Sequence, residues 1–158
     1  MNVVLVEPEI PPNTGNIART CAGLGAVLHL VRPLGFSTSD RYLRRAGLDY
    51  WKHVDVRYYD SLEEVMSKNK TSRFFFCTTK AGKSYTDFRY SENDFFVFGK
   101  ETKGLDETIL KDNYDKCIRI PMNDRIRSLN LANSVAVILY EAARQNSFVG
   151  LGLKGELK

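Results

Sequence analysis

Strand-like and helix-like runs alternate along this chain, which predicts an α/β fold with a mostly parallel sheet and helices on both faces. Two features carry the prediction. The strand candidates, among them VVLVE, RFFFCTT and DFFVFG, are short continuous apolar runs, the pattern of strands covered on both sides. The 158-residue chain also has no repeat, low-complexity segment or Pro/Ser-rich linker. A single domain spanning 1–158 is therefore expected, long enough to bury a substantial core.

The first strand is read over residues 3–7, VVLVE. TGNIARTCAGLGA then reads as a helix, with Asn13 available as its N-cap and Gly25 as its stop. VLHLV (27–31) is a second strand, and SDRYLRRAG (39–47) fits a short helix capped by Ser39 or Asp40. The alternation in VDVRYY (54–59) suits a third strand, and SLEEVMSKN is a short amphipathic helix that Ser61 can cap. RFFFCTT (73–79), DFFVFG (94–99) and KCIRIP (116–121) supply three more strands. The last helix runs from about residue 130 to 146 and has two apolar stripes. One holds Leu131, Val135, Ile138, Leu139 and Ala142; the other holds Ala132, Ala136, Tyr140 and Ala143. A helix with one buried side needs one stripe. This helix is therefore either buried on both sides or shared between the core and a subunit interface.

Composition removes several classes. Hydrophobic content of 43% and charged content of 27% describe a folded chain, not a disordered one. No apolar run approaches the roughly 18 residues of a membrane span, and the N-terminus carries no secretory pattern. Cys21, Cys77 and Cys117 are far apart and form no C-x-x-C, and His29 and His53 are also distant from each other. Neither a disulfide framework nor a metal site is expected, and a reducing cytoplasm fits. The net charge of +4 leans toward nucleic acid. Its basic clusters are Arg41, Arg44, Arg45 and Lys52, then Arg125 and Arg127, then Lys154 and Lys158.

Ligands of parallel sheets gather beyond the carboxyl ends of the strands. Four such ends stand out. The first, PPNTGNIART, raises a question. A strand, a glycine turn and a helix usually hold a nucleotide's phosphates, yet no G-x-G-x-x-G or G-K-[ST] is present. The second end is CTTKAGKSY after Phe76. The third is FGKETKGL, where Gly99 and Gly104 either make a strand-to-helix turn or let backbone approach a ligand, with Glu101 between them. The fourth is IPMNDRIRSLNLANS after Ile118.

Three of these segments together resemble the SpoU branch of the SPOUT superfamily of RNA methyltransferases. Its first motif, N-x-G-x-x-x-R, stands here as Asn13 to Arg19. The second is similar to FGKETKG, with Glu101 in the acidic place, and the third to IPM followed by SLNLANSVAVILYEAARQ. EPEIPPNTGNIAR and LRRAGLDYW resemble the small TrmL (YibK-like) group within that branch.

The resemblance implies an S-adenosylmethionine-dependent 2′-O-methyltransferase that acts on the wobble ribose of a tRNA anticodon, at cytidine or a modified uridine, and releases S-adenosylhomocysteine. It implies a deep trefoil knot in the C-terminal part and a homodimer through the C-terminal helix region. It also implies a cytoplasmic enzyme with no metal and no membrane partner. The other readings are methylation of another RNA, such as ribosomal RNA, a non-catalytic RNA-binding SPOUT module, and a flavodoxin-like binder of an unrelated small molecule.

The same resemblance assigns residues. The catalytic group is Arg19, Asn13, Glu101, Ser128 and Asn130. Backbone around Cys77, Thr78, Gly99, Ile120, Met122, Ser128 and Leu129 would hold the cofactor. Arg44, Arg45, Arg127 and Lys154 are the candidates for RNA phosphate contacts, while Tyr42, Tyr50, Trp51 and Phe148 are either ordinary packing residues or rings that stack on an unpaired base. S-adenosylmethionine has no phosphate, so the missing phosphate loop is no defect. The opening turn is expected to face the RNA.

Overall fold

The computed structural model describes residues 1–37 and 50–157. Six strands, β1 (Asn2–Val6), β2 (Val27–Val31), β3 (Val56–Tyr59), β4 (Phe74–Cys77), β5 (Phe95–Phe98) and β6 (Cys117–Ile118), form one sheet. Their order is β3-β2-β1-β5-β4-β6, and every neighbouring pair is parallel. The described helices are α1 (Pro11–Leu24), α2 (Leu62–Lys68), α3 (Glu107–Asp112) and α4 (Leu131–Gln145).

Alternation along the strands sorts the core into two layers. Val3, Leu5, Phe75, Phe96 and Phe98 pack with Ile17 and Cys21 of α1 and Val135 and Leu139 of α4. Val4, Phe74, Phe76, Phe95 and Val97 pack with Leu62 and Val65 of α2 and Leu110 of α3. Continuous apolar runs were thus the signature of strands buried on both faces.

β2 matches its expected run of 27–31, β1 begins and ends one residue earlier than expected, and β3 to β6 are each shorter than their runs. The stretch 116–121 pairs only at Cys117 and Ile118, because its partner β4 ends at Cys77. Helix stops and caps follow local chemistry. Gly25 ends α1 at φ 64°, a left-handed conformation that glycine adopts freely, and its N–H donates to the Cys21 carbonyl. Ser61 caps α2 by accepting from the Glu64 amide. Asn130 caps α4 through the Ala132 and Asn133 amides.

Asn13 is not the N-cap of α1. The helix begins earlier, at Pro11, with Ile10 as N-cap and no side-chain cap of its own. Two prolines fit the first helical turn because their fixed φ matches it and their missing N–H would have no intrahelical partner. α3 escaped the sequence reading because six residues are too few to show a period. The helix expected over 39–47 lies outside the described residues.

α4 resolves its two stripes by splitting the second. Ala132 and Ala143 join the first stripe in the core, whereas Tyr140 is 51% exposed and the adjacent Val137 38%. Among the described residues no helix is long and apolar enough to cross a membrane, and no cluster of His, Cys, Asp and Glu could hold a metal ion.

Candidate active site

The chain leaves β1 toward β2 on one side and leaves β5 toward β6 on the other. The carboxyl ends of β1 and β5 therefore form the switch point where an open parallel sheet leaves a crevice. A cavity of about 500 Å³ opens there. Its walls are the start of α1 (Ile10, Asn13), the segment after β4 (77–80), the segment after β5 (99–105) and the segment after β6 (119–131).

One chain of hydrogen bonds joins three of these walls. Glu101 accepts from the Glu9 amide at 2.8 Å, the Ile10 amide at 3.2 Å and Asn13 Nδ2 at 3.0 Å. Asn13 is buried, and its Oδ1 accepts from Asn130 Nδ2 at 2.9 Å. Asn130 Oδ1 in turn caps α4. A reciprocal clamp reinforces the first link: Glu9 accepts from the Thr102 amide and hydroxyl. Those donors hold the Glu9 carboxyl below its ordinary pKa. Lys100 pairs with Glu7, which lies at φ 49° just past β1. Glu101 thus supplies from 91 residues away the capping oxygens that Ile10 lacks.

This arrangement leaves no phosphate cradle at α1. Pro11 and Pro12 have no N–H, and the Glu9 and Ile10 amides point at the Glu101 carboxylate. A helix N-terminus attracts anions through free amides and its dipole. Here the protein's own carboxylate occupies that place.

Gly99 accounts for the tight third strand end. A Cβ there would lie 2.1 Å from the Gly104 carbonyl carbon and 2.3 Å from the Leu105 nitrogen, so only glycine allows this loop to fold back on itself. Gly104 completes the turn at φ 71°.

All seven residues expected around a cofactor, Cys77, Thr78, Gly99, Ile120, Met122, Ser128 and Leu129, line the cavity. Asn13, Glu101 and Asn130 line it too. Burial pushes the Cys77 thiol well above its ordinary pKa, so it is a neutral wall group and not a thiolate nucleophile. Arg127 also lines the cavity, and its Nη2 donates to the Thr102 carbonyl at 3.2 Å.

Arg19 lies elsewhere. It is exposed on α1, its guanidinium 4.7 Å above the centre of the Tyr50 ring, and does not line the cavity. Lys154 is exposed in the C-terminal segment. Arg44, Arg45 and Tyr42 lie outside the described residues. Trp51 and Phe148 pack against the core layer that holds α1 and α4, which leaves Tyr50 as the more accessible ring. The sequence reading passed over Arg119, which lines the cavity. Its signal was present: an Arg between Ile118 and Ile120 at the end of an otherwise apolar strand.

The fold and cavity define a parallel α/β protein with a ligand site at its switch point and no phosphate loop. The chain belongs to the SpoU rRNA methylase family, which matches residues 1–140. A Geobacillus stearothermophilus protein, provisionally named a tRNA (cytidine(34)-2′-O)-methyltransferase, is 52% identical over 96% of this chain and 98% of its own length. A Methylovorus glucosotrophus tRNA (cytidine(34)-2′-O)-methyltransferase is 48% identical over 94% of this chain and 97% of its own. Among solved structures, one described as giving insight into 2-OH methylation of C/U34 on tRNA superposes with a TM-score of 0.88 at 45% identity. That match covers 93% of this chain and 96% of the other. The Streptomyces viridochromogenes SpoU methyltransferase AviRb, in complex with the cofactor AdoMet, has a TM-score of 0.83 at 26% identity. It covers 93% of this chain and 58% of AviRb.

Proposed function

We propose that this chain is an S-adenosylmethionine-dependent methyltransferase that acts on the 2′-oxygen of the wobble ribose, cytidine or uridine, in a tRNA anticodon. The observation that carries the reading is the hydrogen-bonded union of Glu101, Asn13 and Asn130, one residue from each motif, at the rim of the cavity. Near-full-length identity to relatives named for this reaction supports the substrate.

The cavity fits the cofactor by its chemistry. Its volume of about 500 Å³ lies in the range of small-molecule sites. Loops after three strands supply most of its wall, and the start of α1 offers no amide cradle for phosphate. Backbone at Cys77, Thr78, Gly99, Ile120, Met122, Ser128 and Leu129 would hold the cofactor. When bound, S-adenosylmethionine supplies a methyl group activated by its sulfonium charge.

The chain's own residues then have three tasks. The Glu101–Asn13–Asn130 chain fixes α1 and α4 against the loop after β5, which holds the cavity's geometry to the tolerance a displacement requires. Ser128 and Asn130 order the loop after β6. Arg19 stabilises charge that develops on the 2′-oxygen, or holds the neighbouring phosphate as the proton acceptor. A guanidinium holds its proton too tightly to act as the base, which leaves these electrostatic roles.

Arg19 stands apart from the cavity of its own chain, and Tyr140 and Val137 of α4 are exposed. Both support a homodimer through the C-terminal helix region. Arg44, Arg45, Arg127 and Lys154 are the proposed phosphate contacts. The C-terminal trefoil knot is proposed from family membership, the chain is proposed to be one domain, and its compartment is proposed to be the cytoplasm, where its three free thiols are at home.

The test is methyl transfer from labelled S-adenosylmethionine to tRNA that lacks wobble methylation, followed by digestion to locate the methylated nucleotide. Wild-type protein is expected to label the wobble ribose, and Arg19→Ala to bind cofactor yet label nothing. Cofactor binding with label found only in ribosomal RNA would move the substrate, and absence of cofactor binding would overturn the reading.

A further inference from the structure

Among the described residues, the guanidinium of Arg19 meets an aromatic ring and no hydrogen-bond or ion-pair partner. Its central carbon lies 4.7 Å from the centre of the Tyr50 ring. α1 contains no Asp or Glu, so no carboxylate one turn away can take up the charge. Two other arginines that sit over rings differ on this point. Arg32 lies over Tyr58 and pairs with Asp60, and Arg73 lies over Phe75 and pairs with Asp94. In both, a carboxylate occupies N–H donors of the guanidinium. In Arg19 those donors stay open.

The ring is itself tethered. The Tyr50 carbonyl accepts from the His53 amide at 2.9 Å, and the Trp51 carbonyl accepts from the Val54 amide at 3.2 Å. Trp51 and Val54 pack against the core layer that holds α1. Tyr50 itself is 36% exposed, so its place is fixed by its neighbours while its ring stays at the surface.

An aromatic face attracts a guanidinium through the ring quadrupole. That attraction forms no N–H···O bond, so it restrains the group and leaves it able to donate to an oxyanion. An exposed Arg otherwise has a long side chain with many rotamers. We propose that Tyr50 is a positioning residue that holds the Arg19 guanidinium ready for the RNA, with its donors open to the ribose 2′-oxygen or the neighbouring phosphate. Tyr50 acts through Arg19 and touches no reacting atom. This assignment rests on the role given to Arg19 under the proposed function. Neither residue lines the cofactor cavity, so cofactor binding is independent of both.

The experiment compares wild type, Tyr50→Leu and Tyr50→Phe in methyl transfer from labelled S-adenosylmethionine to tRNA. It separates kcat from the KM for tRNA, and calorimetric titration gives the cofactor affinity. Tyr50→Leu should lower kcat by about 2- to 30-fold, the span between a ring contact left in water and one covered by bound RNA. Cofactor affinity should match wild type, which also certifies that the variant is folded. Tyr50→Phe keeps the aromatic face and should recover most of the rate. In an Arg19→Ala background, adding Tyr50→Leu should change tRNA affinity no further, because the group that the ring serves is gone.

A wild-type kcat in Tyr50→Leu would overturn the assignment. So would an equal loss in Tyr50→Phe, which would make the hydroxyl the working group. A further loss of tRNA affinity in the Arg19→Ala background would make Tyr50 a base-stacking ring that works without Arg19. Weakened cofactor binding in Tyr50→Leu would make the role structural. Each of these outcomes leaves the methyltransferase reading standing as long as Arg19→Ala is inactive. A fully active Arg19→Ala would sink the role of Arg19 and that of Tyr50 together.

Discussion

Glu101→Gln tests the joint between the three walls of the site. Oε1 of Glu101 accepts from the Ile10 amide and Asn13 Nδ2, and Oε2 from the Glu9 amide. A glutamine of the same shape can reproduce only one of these oxygens. In either orientation its NH2 meets an N–H donor. The less damaging orientation turns the NH2 on Glu9 and keeps the other two contacts. One hydrogen bond to a charged group is then lost, about 1.5–3 kcal/mol. The negative charge at the start of α1 is lost as well, about 0.3–1 kcal/mol. The sum is about 2–4 kcal/mol. For a chain of this size that lowers Tm by about 5–15 °C. Urea unfolding should show a lower midpoint at constant m, and cofactor affinity should fall with it, since Glu101 lines the cavity. A stability within about 0.5 kcal/mol of wild type, the range of ordinary surface substitutions, would refute the view that this carboxylate caps α1 and ties the loops together.

Two further outcomes follow from single residues. Gly99→Ala puts a methyl into the Gly104–Leu105 backbone, so the loop must move. It should lose at least about 2 kcal/mol of stability and most cofactor affinity; normal affinity by titration would show that the loop gives way freely. His29 is fully buried between Tyr59 and Asn2, and burial first, then Arg57, lowers its pKa to about 4. Between that value and the unfolded value of about 6.5, only the unfolded chain takes up this proton, so stability rises with pH across the window and is lost as pH falls. Going from pH 7 to pH 5 should remove about 2 kcal/mol through this residue. Equal urea midpoints at the two pH values would refute it.

The sequence exposed more of this site than of its wiring. Apolar runs located the strands because a sheet buried on both faces demands them, and the four strand ends named from those runs all wall the cavity. Gly25 and Ser61 were legible because caps act within a few residues of their own helix. Asn13 was misread for the same reason. Local rules make an Asn before a helix its cap, but here the capping group is Glu101, 91 residues from the amide it satisfies, and Asn13 spans two loops instead. No propensity or period encodes a partner at that distance. Arg119 was overlooked because a strand-like run was read for its apolar members, when the polar exception was the informative one.

The opening stretch PPNTG differs from a phosphate loop by what it withholds, and that difference is measurable. Pro11 and Pro12 remove two helix-start donors, and Glu101 occupies the Glu9 and Ile10 amides. Removing the carboxylate with Glu101→Ala would free those two amides and Asn13 Nδ2 at a positive helix end. That is the donor set an oxyanion prefers. Inorganic phosphate should then stabilise the variant more than wild type. With phosphate at about five times its dissociation constant, linkage gives about 1 kcal/mol, or about 2–4 °C in Tm. Chloride at matched ionic strength serves as the control for screening. An equal response of variant and wild type to phosphate would mean that the prolines alone abolish the anion site. The carboxylate would then be needed only to join the loops, and the exclusion of phosphates would belong to the sequence of α1 rather than to its partner.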